Sequence, residues 1–328
     1  MPTEAVKGLL AFVLFGVILA AAGKHPVQAY WDAGKYVLGS LGGFSELFVR
    51  MGPLVMTALA VAIPARVGLF NVGGEGQLYM GALFATGAAL SLADWPAPSL
   101  LAATMAAGFL GGALWAAVPA LLRIARVANE SITTLLLNYV APLAVGYQIF
   151  GPWRSPESSS YPQSHRLAEA AQLPSAPGTR LHAGLLIAAL CLALCAYVWQ
   201  RTRWGLEMRA VGANATASEY LGLPVRAYAA LCMAVGGGIA GLAGMAEVSA
   251  IQGRLVAEVS PGYGYMGFLV AWLAGPSALR ILGMAFLFAF VSSVGDVLQI
   301  TQRVPYAVIN ILMSAILFSV LFGRAVRR

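Results

Sequence analysis

Glu75 stands in Gly68-Leu69-Phe70-Asn71-Val72-Gly73-Gly74-Glu75-Gly76-Gln77, where glycines and three polar side chains interrupt strongly apolar sequence. A carboxylate in hydrocarbon is costly unless it faces protein or water. Gly73, Gly74 and Gly76 let the backbone bend or approach neighbours closely. A broken helix beside a cavity meets both conditions. Asn71, Glu75 and Gln77 have the donors and acceptors to exchange hydrogen bonds with the hydroxyls and amides of a passing solute, and the same groups can pin a broken helix to its neighbours. Both roles are open at this point. The Gly-x-Gly spacing also suggests a phosphate loop, but no strand precedes it and Glu75 would repel phosphate.

A second polar set lies in Asn129-Glu130-Ser131-Ile132-Thr133-Thr134-Leu135-Leu136-Leu137-Asn138-Tyr139. At about 100° per residue, Glu130, Thr134 and Asn138 fall within about 80° of one another and form one stripe, either a packing seam or a face on a pathway. Ser292, Asp296, Gln299 and Arg303 also follow helical spacing, with Asp296 read as pairing with a neighbour. Cys191, Cys195 and Cys232 sit in apolar runs and read as packing residues. His25, His165 and His182 show no ligand spacing, so no metal site is expected. The chain has no Gly-x-x-x-x-Gly-Lys-Ser/Thr loop, no His-Glu-x-x-His zinc helix and no Ser-His-Asp constellation, which leaves an enzyme reading without support.

The elements that hold these residues belong to a membrane protein. Of 328 residues, 59% are hydrophobic and 10% charged, against roughly a quarter charged in soluble domains. The formal charge of +7 belongs to the ends of spanning helices, and no separate basic stripe marks a nucleic-acid surface. The hydropathy pattern predicts an all-α polytopic protein of about ten transmembrane helices in one domain over residues 1–328. The runs are 8–23, 48–63, 78–92, 100–122, 129–150, 183–199, 227–246, 266–274, 281–298 and 304–322.

The first run, within 1–23, ends in alanines like a cleaved signal but is read as a retained span. Residues 24–46, with Tyr30, Trp31 and Tyr36, form an external segment. The proline-rich stretch 151–180 is an external loop, and 247–265 returns to the same side. Arg201, Arg203, Arg209 and Arg226 place 200–226 inside. Arg66, Arg123, Arg126, Arg280 and the arginines after 322 agree, so both termini are cytoplasmic. Within 200–226, Asn214 caps a short helix that Gly222 and Pro224 end. A helix that short needs something to dock on. Gly237 and Gly241 have the spacing for close helix contact, and the run 266–274 is short for a span unless 262–265 also enters the membrane as non-regular backbone that protein must cover.

Three segments together, 68–77, 129–139 and Arg209-Ala210-Val211-Gly212-Ala213-Asn214, resemble a bacterial ABC importer permease of the simple-sugar and nucleoside branch. Ser260-Pro261-Gly262-Tyr263-Gly264-Tyr265 is similar to that branch as well, and the resemblance runs from about Gly52 to Phe322. It implies a type II-like importer permease with broken helices in the bacterial inner membrane. It implies no enzyme activity and no cofactor in this chain; ATP and Mg belong to a partner ATPase. The other implied partners are a second homologous permease in a heterodimer, an extracytoplasmic substrate-binding lipoprotein and membrane lipid, with no nucleic acid. The family's coupling segment falls on 212–222, with Arg209, Gly212, Asn214, Ser218, Glu219 and Tyr220 as its contact residues. The translocation path is assigned to Asn71, Glu75, Gln77, Glu130 and Asn138. The rival reading is a proton-coupled secondary transporter in which Glu75, Glu130 or Asp296 carries the proton.

Overall fold

The computed structural model describes residues 25–156 and 161–303, with isolated positions 16, 17, 20 and 311. The first predicted span and nearly all of the tenth, 304–322, lie outside the described residues. In chain order the helices are α1 (Pro26–Gly39), α2 (Leu41–Ala65), α3 (Gly74–Ser91), α4 (Ala97–Ile124), α5 (Glu130–Phe150), α6 (Gly184–Arg201), α7 (Arg203–Ala213), α8 (Ala215–Tyr220), α9 (Val225–Ala246), α10 (Tyr263–Ala274) and α11 (Ala278–Gln302). A π-helical turn, Glu247–Gln252, prolongs α9. Isolated β-bridges are present, but no strand forms among the described residues. By contact the chain divides into two units: Met1–Met51 with Gly178–Leu181 and Phe286–Arg328, and Gly52–Pro177 with His182–Ala285.

Six described helices are long and apolar enough to cross a membrane: Leu41–Ala65, Ala97–Ile124, Glu130–Phe150, Gly184–Arg201, Val225–Gln252 and Ala278–Thr301. This corrects the count of about ten for the described residues. The run 78–92 forms most of α3, whose first turn carries Glu75 and Gln77. Those polar groups lower its hydropathy. They are tolerated because α3 is buried by protein along most of its length and meets little lipid. The eighth run is α10, of 12 residues, too short to span alone. Residues 26–46 are also largely helical: α1 ends at Gly39, and Ser40 joins it to α2 by accepting from Gly43 N at 3.0 Å.

In the larger unit α3, α4 and α9 pack on one another. Glycines make this contact close. A Cβ at Gly111 would come within 2.6 Å of the Met80 carbonyl, and one at Gly237 within 2.5 Å of the Gly112 carbonyl. Gly241 lies against the backbone of both Gly108 and Gly112. Such approach maximises dispersion contact where no hydrophobic effect drives helices together.

Connections assigned to one side by charge also meet in space. The Arg66 guanidinium stacks over Trp199 at 4.2 Å from the ring centre and donates to the Pro276 carbonyl, while Gly212 packs on the Arg66 carbonyl. The long loop, assigned to the other side, is laced to the segment after α9. Ser164 N donates to the Leu255 carbonyl and Leu255 N to Ser164 Oγ, both at 2.9 Å, and Leu167 N reaches the Gly253 carbonyl at 2.9 Å. Leu167 and Ala171 then bury against Ala89 and Leu100.

Gly241→Val is expected to destabilise the purified protein by about 1–3 kcal/mol or more through overpacking. Gly146→Ala, with open space around it, should leave the melting temperature equal or slightly higher. Thermal unfolding in detergent measures both.

Candidate functional site

The site is built where α2 stops and α3 begins. Asn71 turns its side chain back: Nδ2 donates to the Ala60 carbonyl of α2 at 2.9 Å and to Gln77 Oε1 at 3.0 Å. Its Oδ1 accepts from Gln77 Nε2 at 2.9 Å and from Gly73 N at 3.0 Å. One amide thereby closes the break on both flanks. A Cβ at Gly73 would sit 3.0 Å from Gln77 Nε2 and 3.1 Å from Asn71 Oδ1, so a side chain there would crowd this amide pair.

The polar stripe of α5 faces the same break, as its spacing predicts. Asn138 Oδ1 accepts from Gly76 N and Asn138 Nδ2 donates to the Val72 carbonyl, each at 2.9 Å. Thr134 Oγ1 accepts from Val72 N at 3.2 Å. Glu130 Oε1 meets Phe70 N at 3.5 Å, and its other oxygen pairs with Arg123 Nε at 3.1 Å. Asn129 caps α5 by accepting from Ser131 N at 2.8 Å, which fixes the helix start and hence the direction of the stripe. The stripe supplies the hydrogen bonds that non-helical backbone needs inside a membrane protein.

Glu75 points to a second break. Gly262, at φ +97°, precedes α10, and Ser260 Oγ accepts from Gly262 N at 3.0 Å and from Tyr263 N at 2.9 Å. The next amide, Gly264 N, donates to Glu75 Oε2 at 2.7 Å. The backbones touch here: a Cβ at Gly74 would lie 3.5 Å from Gly264, and one at Gly264 would run into the Glu75 backbone. Two helix N-termini, each carrying about half a positive charge, therefore meet with one carboxylate at the junction. The two glycine-rich breaks noted in the sequence form a single structure.

The structure brings all five predicted path residues together and encloses them. Asn71 is 0% exposed, Glu75 5%, Gln77 1%, Glu130 3% and Asn138 2%. Beside them, Phe70, Tyr139, Tyr265 and Trp272 are open to the surroundings. Phe70 and Trp272 have ring centres 5.8 Å apart, and Phe268 stacks on Trp272 at 5.7 Å. A cavity of about 360 Å³ next to the break is lined by Arg66, Phe70, Trp272 and Pro276. The sequence reading missed Phe268 and Trp272. Their signal was an aromatic pair four residues apart in a run judged only for its hydropathy.

The segment 200–226 folds into α7 and α8. Thr202 accepts from Gly205 N at 3.3 Å and Asn214 from Ala217 N at 3.0 Å, the latter as its residue type predicts. Gly222, at φ +80°, ends the turn after α8. Tyr220 is 90% exposed and Leu221 79%, while Ser218 is buried. Arg209 and Glu219 are exposed, and Gly212 faces Arg66 and Gly68. Partial burial, then the charge of Arg209, draws the Arg66 guanidinium below its usual pKa.

The described residues, helical with buried breaks and with several helices long and apolar enough to cross a membrane, define a multi-pass membrane protein. Residues 43–320 match the family described as branched-chain amino acid transport system / permease component, and the chain belongs to that family. It is therefore a permease subunit of an ABC transporter. It is 34% identical to the glucose ABC transporter permease of Haloferax volcanii, over 99% of this chain and 88% of that one. It is 30% identical to a nucleoside ABC transporter permease of Lactococcus lactis, over 94% and 87%, and 28% identical to a guanosine ABC transporter permease of Bacillus subtilis, over 98% and 92%. Among solved structures, PsaBC from Streptococcus pneumoniae in complex with Fab shares the fold, with a TM-score of 0.51 at 14% identity, over 88% of this chain and 94% of that one.

Asn138→Leu leaves the Gly76 amide and the Val72 carbonyl without partners, at about 1–3 kcal/mol each, so a clear fall in the detergent melting temperature is expected. Tyr139→Leu, one position along and 67% exposed, should change stability by no more than about 0.5 kcal/mol.

Proposed function

We propose that the chain is the permease of an ATP-driven importer for nucleosides or simple sugars. It works with a separate cytoplasmic ATPase, an extracytoplasmic binding protein and a second, related permease. The chain crosses the cytoplasmic membrane several times, with both termini on the cytoplasmic side. This chain binds no ATP and takes no cofactor; nucleotide and Mg are held by the ATPase. The named activities of the glucose, nucleoside and guanosine relatives support the substrate class.

The observation that carries this reading is the contact between the coupling segment and the break. The exposed face of α8, with Tyr220, Leu221 and Glu219, receives the ATPase. Arg209, Gly212, Asn214 and Ser218 hold it: Asn214 caps α8, Ser218 is buried beneath it, and Gly212 rests on the Arg66 carbonyl. A push on α8 reaches Arg66 and Gly68 through Gly212 of α7, and the break follows as a rigid element with two packed arrangements.

Asn71, Glu75, Gln77, Glu130 and Asn138 shape the path from behind. Phe70, Tyr139, Tyr265 and Trp272 present its surface, where aromatic faces give weak, transient contacts to a sugar or base.

Glu219→Arg is expected to uncouple transport from ATP hydrolysis by at least about tenfold without loss of expression, because it reverses charge on the proposed docking face. Uptake and ATPase assays on the reconstituted importer measure it, and unchanged coupling removes α8 from the interface. Substantial uphill uptake by this permease alone under a pH gradient would overturn the ATP-driven reading in favour of a proton-coupled transporter.

A further inference from the structure

The smaller unit holds polar chemistry that the break and the coupling segment do not use. Four charges alternate along one wall: Arg180 Nη1 meets Glu46 Oε2 at 3.0 Å, Glu46 Oε1 meets Arg50 Nη2 at 3.3 Å, and Arg50 pairs with Asp296 Oδ2. Arg50 also donates to Ser292 Oγ at 3.0 Å. These groups border a cavity of about 610 Å³, which Tyr36 and Ser293 also line, within the ~300–1,000 Å³ of sites that enclose small ligands.

Two observations point to a ligand. Ser293 is 4% exposed, and its buried hydroxyl has no hydrogen-bond partner among the described residues. Native interiors seldom leave such a group unmatched. Asp296, one-third exposed on its side chain, receives Arg50 on Oδ2 and keeps Oδ1 for another donor. The composition of the wall selects among solutes. Its two carboxylates and two guanidinium groups sum to zero charge, so an anion meets Glu46 and Asp296 while a cation meets Arg50 and Arg180. A neutral molecule with adjacent hydroxyls suits both, donating to a carboxylate and accepting from a guanidinium. Tyr36, 54% exposed, adds an aromatic face for a ring.

We propose that this cavity is a binding site for a neutral polyhydroxyl solute, a ribose or hexose ring, held through adjacent hydroxyls by Asp296, Arg50 and Ser293. The proposal rests on the reading of the chain as an importer permease and gives that importer a contact for its solute in the smaller unit. The site is a separate stage from the aromatic surface beside the break. Asp296 acquires a role beyond its ion pair, and the exposed Tyr36 ring acquires a partner.

Two readouts test it on the full chain. The first is saturation-transfer NMR with guanosine and D-glucose on the permease in nanodiscs; the second is uptake by the importer reconstituted with ATPase and binding protein. Asp296→Asn, which keeps an acceptor for Arg50, and Ser293→Ala are each expected to abolish most of the transfer signal. Asp296→Asn should also lower uptake at least about tenfold, the loss expected when a hydrogen bond to a charged group is removed. Ser293→Ala should do so with no fall in melting temperature, since its hydroxyl supports no contact in the fold. A charge-swapped pair, Arg50→Asp with Asp296→Arg, should retain the fold without restoring binding. Replacing guanosine by its 2′,3′-dideoxy form should weaken binding to the wild type and leave the Asp296→Asn variant unaffected.

Variants that bind and transport both probes as the wild type does would overturn the proposal. Transfer signals that are present but indifferent to all of these substitutions would do the same. Binding that depends on Asp296 and Ser293 in an assembly that takes up neither solute would instead overturn the importer reading and leave the cavity assignment standing.

Discussion

One carboxylate between two helix starts sets the architecture of the larger unit. Each N-terminus exposes amides that hydrocarbon cannot satisfy, and bringing two positive ends together adds repulsion. Glu75 answers both, accepting from the first turn of α10 while belonging to the first turn of α3. This requires backbone contact, hence Gly74 and Gly264. It also requires that the rest of the interrupted backbone be satisfied elsewhere, hence Asn71, Gln77, Ser260 and the α5 stripe. The residues form one accounting of hydrogen bonds, in which removing a member leaves a partner buried and unmet.

The same junction links chemistry to motion. Arg66 leaves the end of α2, stacks on Trp199, reaches Pro276 and supports Gly212, so four connections converge on one guanidinium and the residues beside it. The glycine contacts among α3, α4 and α9 leave little slack, because packed interiors resist continuous deformation. Under the proposed coupling, a displacement applied at α8 would be passed on as movement of whole helices.

Much of this was legible along the chain because it is local. The cost of Glu75 in an apolar setting, the stripe at every fourth residue from Glu130, the Asn214 and Asn129 caps and the arginine distribution are all properties of short windows. The pairing of the two breaks was not, since Glu75 and Gly264 are 189 positions apart and nothing in either window names the other. Among the described residues the helix count was overestimated for a related reason: hydropathy treats every apolar run as facing lipid, whereas α3 is wrapped by protein and α10 is capped by another helix. The chain of charges from Arg180 to Asp296 draws on three separate segments, so from sequence Asp296 showed only that it needed a partner.

The lacing of the long loop to the segment after α9 bears on recognition. α9 begins beside the coupling segment and ends in this laced region, so the tie lies at the far end of that helix from α8. A free loop of that length would have to be immobilised by whatever bound it, at a cost in conformational entropy that reduces affinity. Here Ser164, Leu167 and Leu173 are already held by the 249–255 backbone, and the ordering has been completed in folding. A protein that docked at that end would meet these three positions already held, and its dwell time would be set by the contacts it made there.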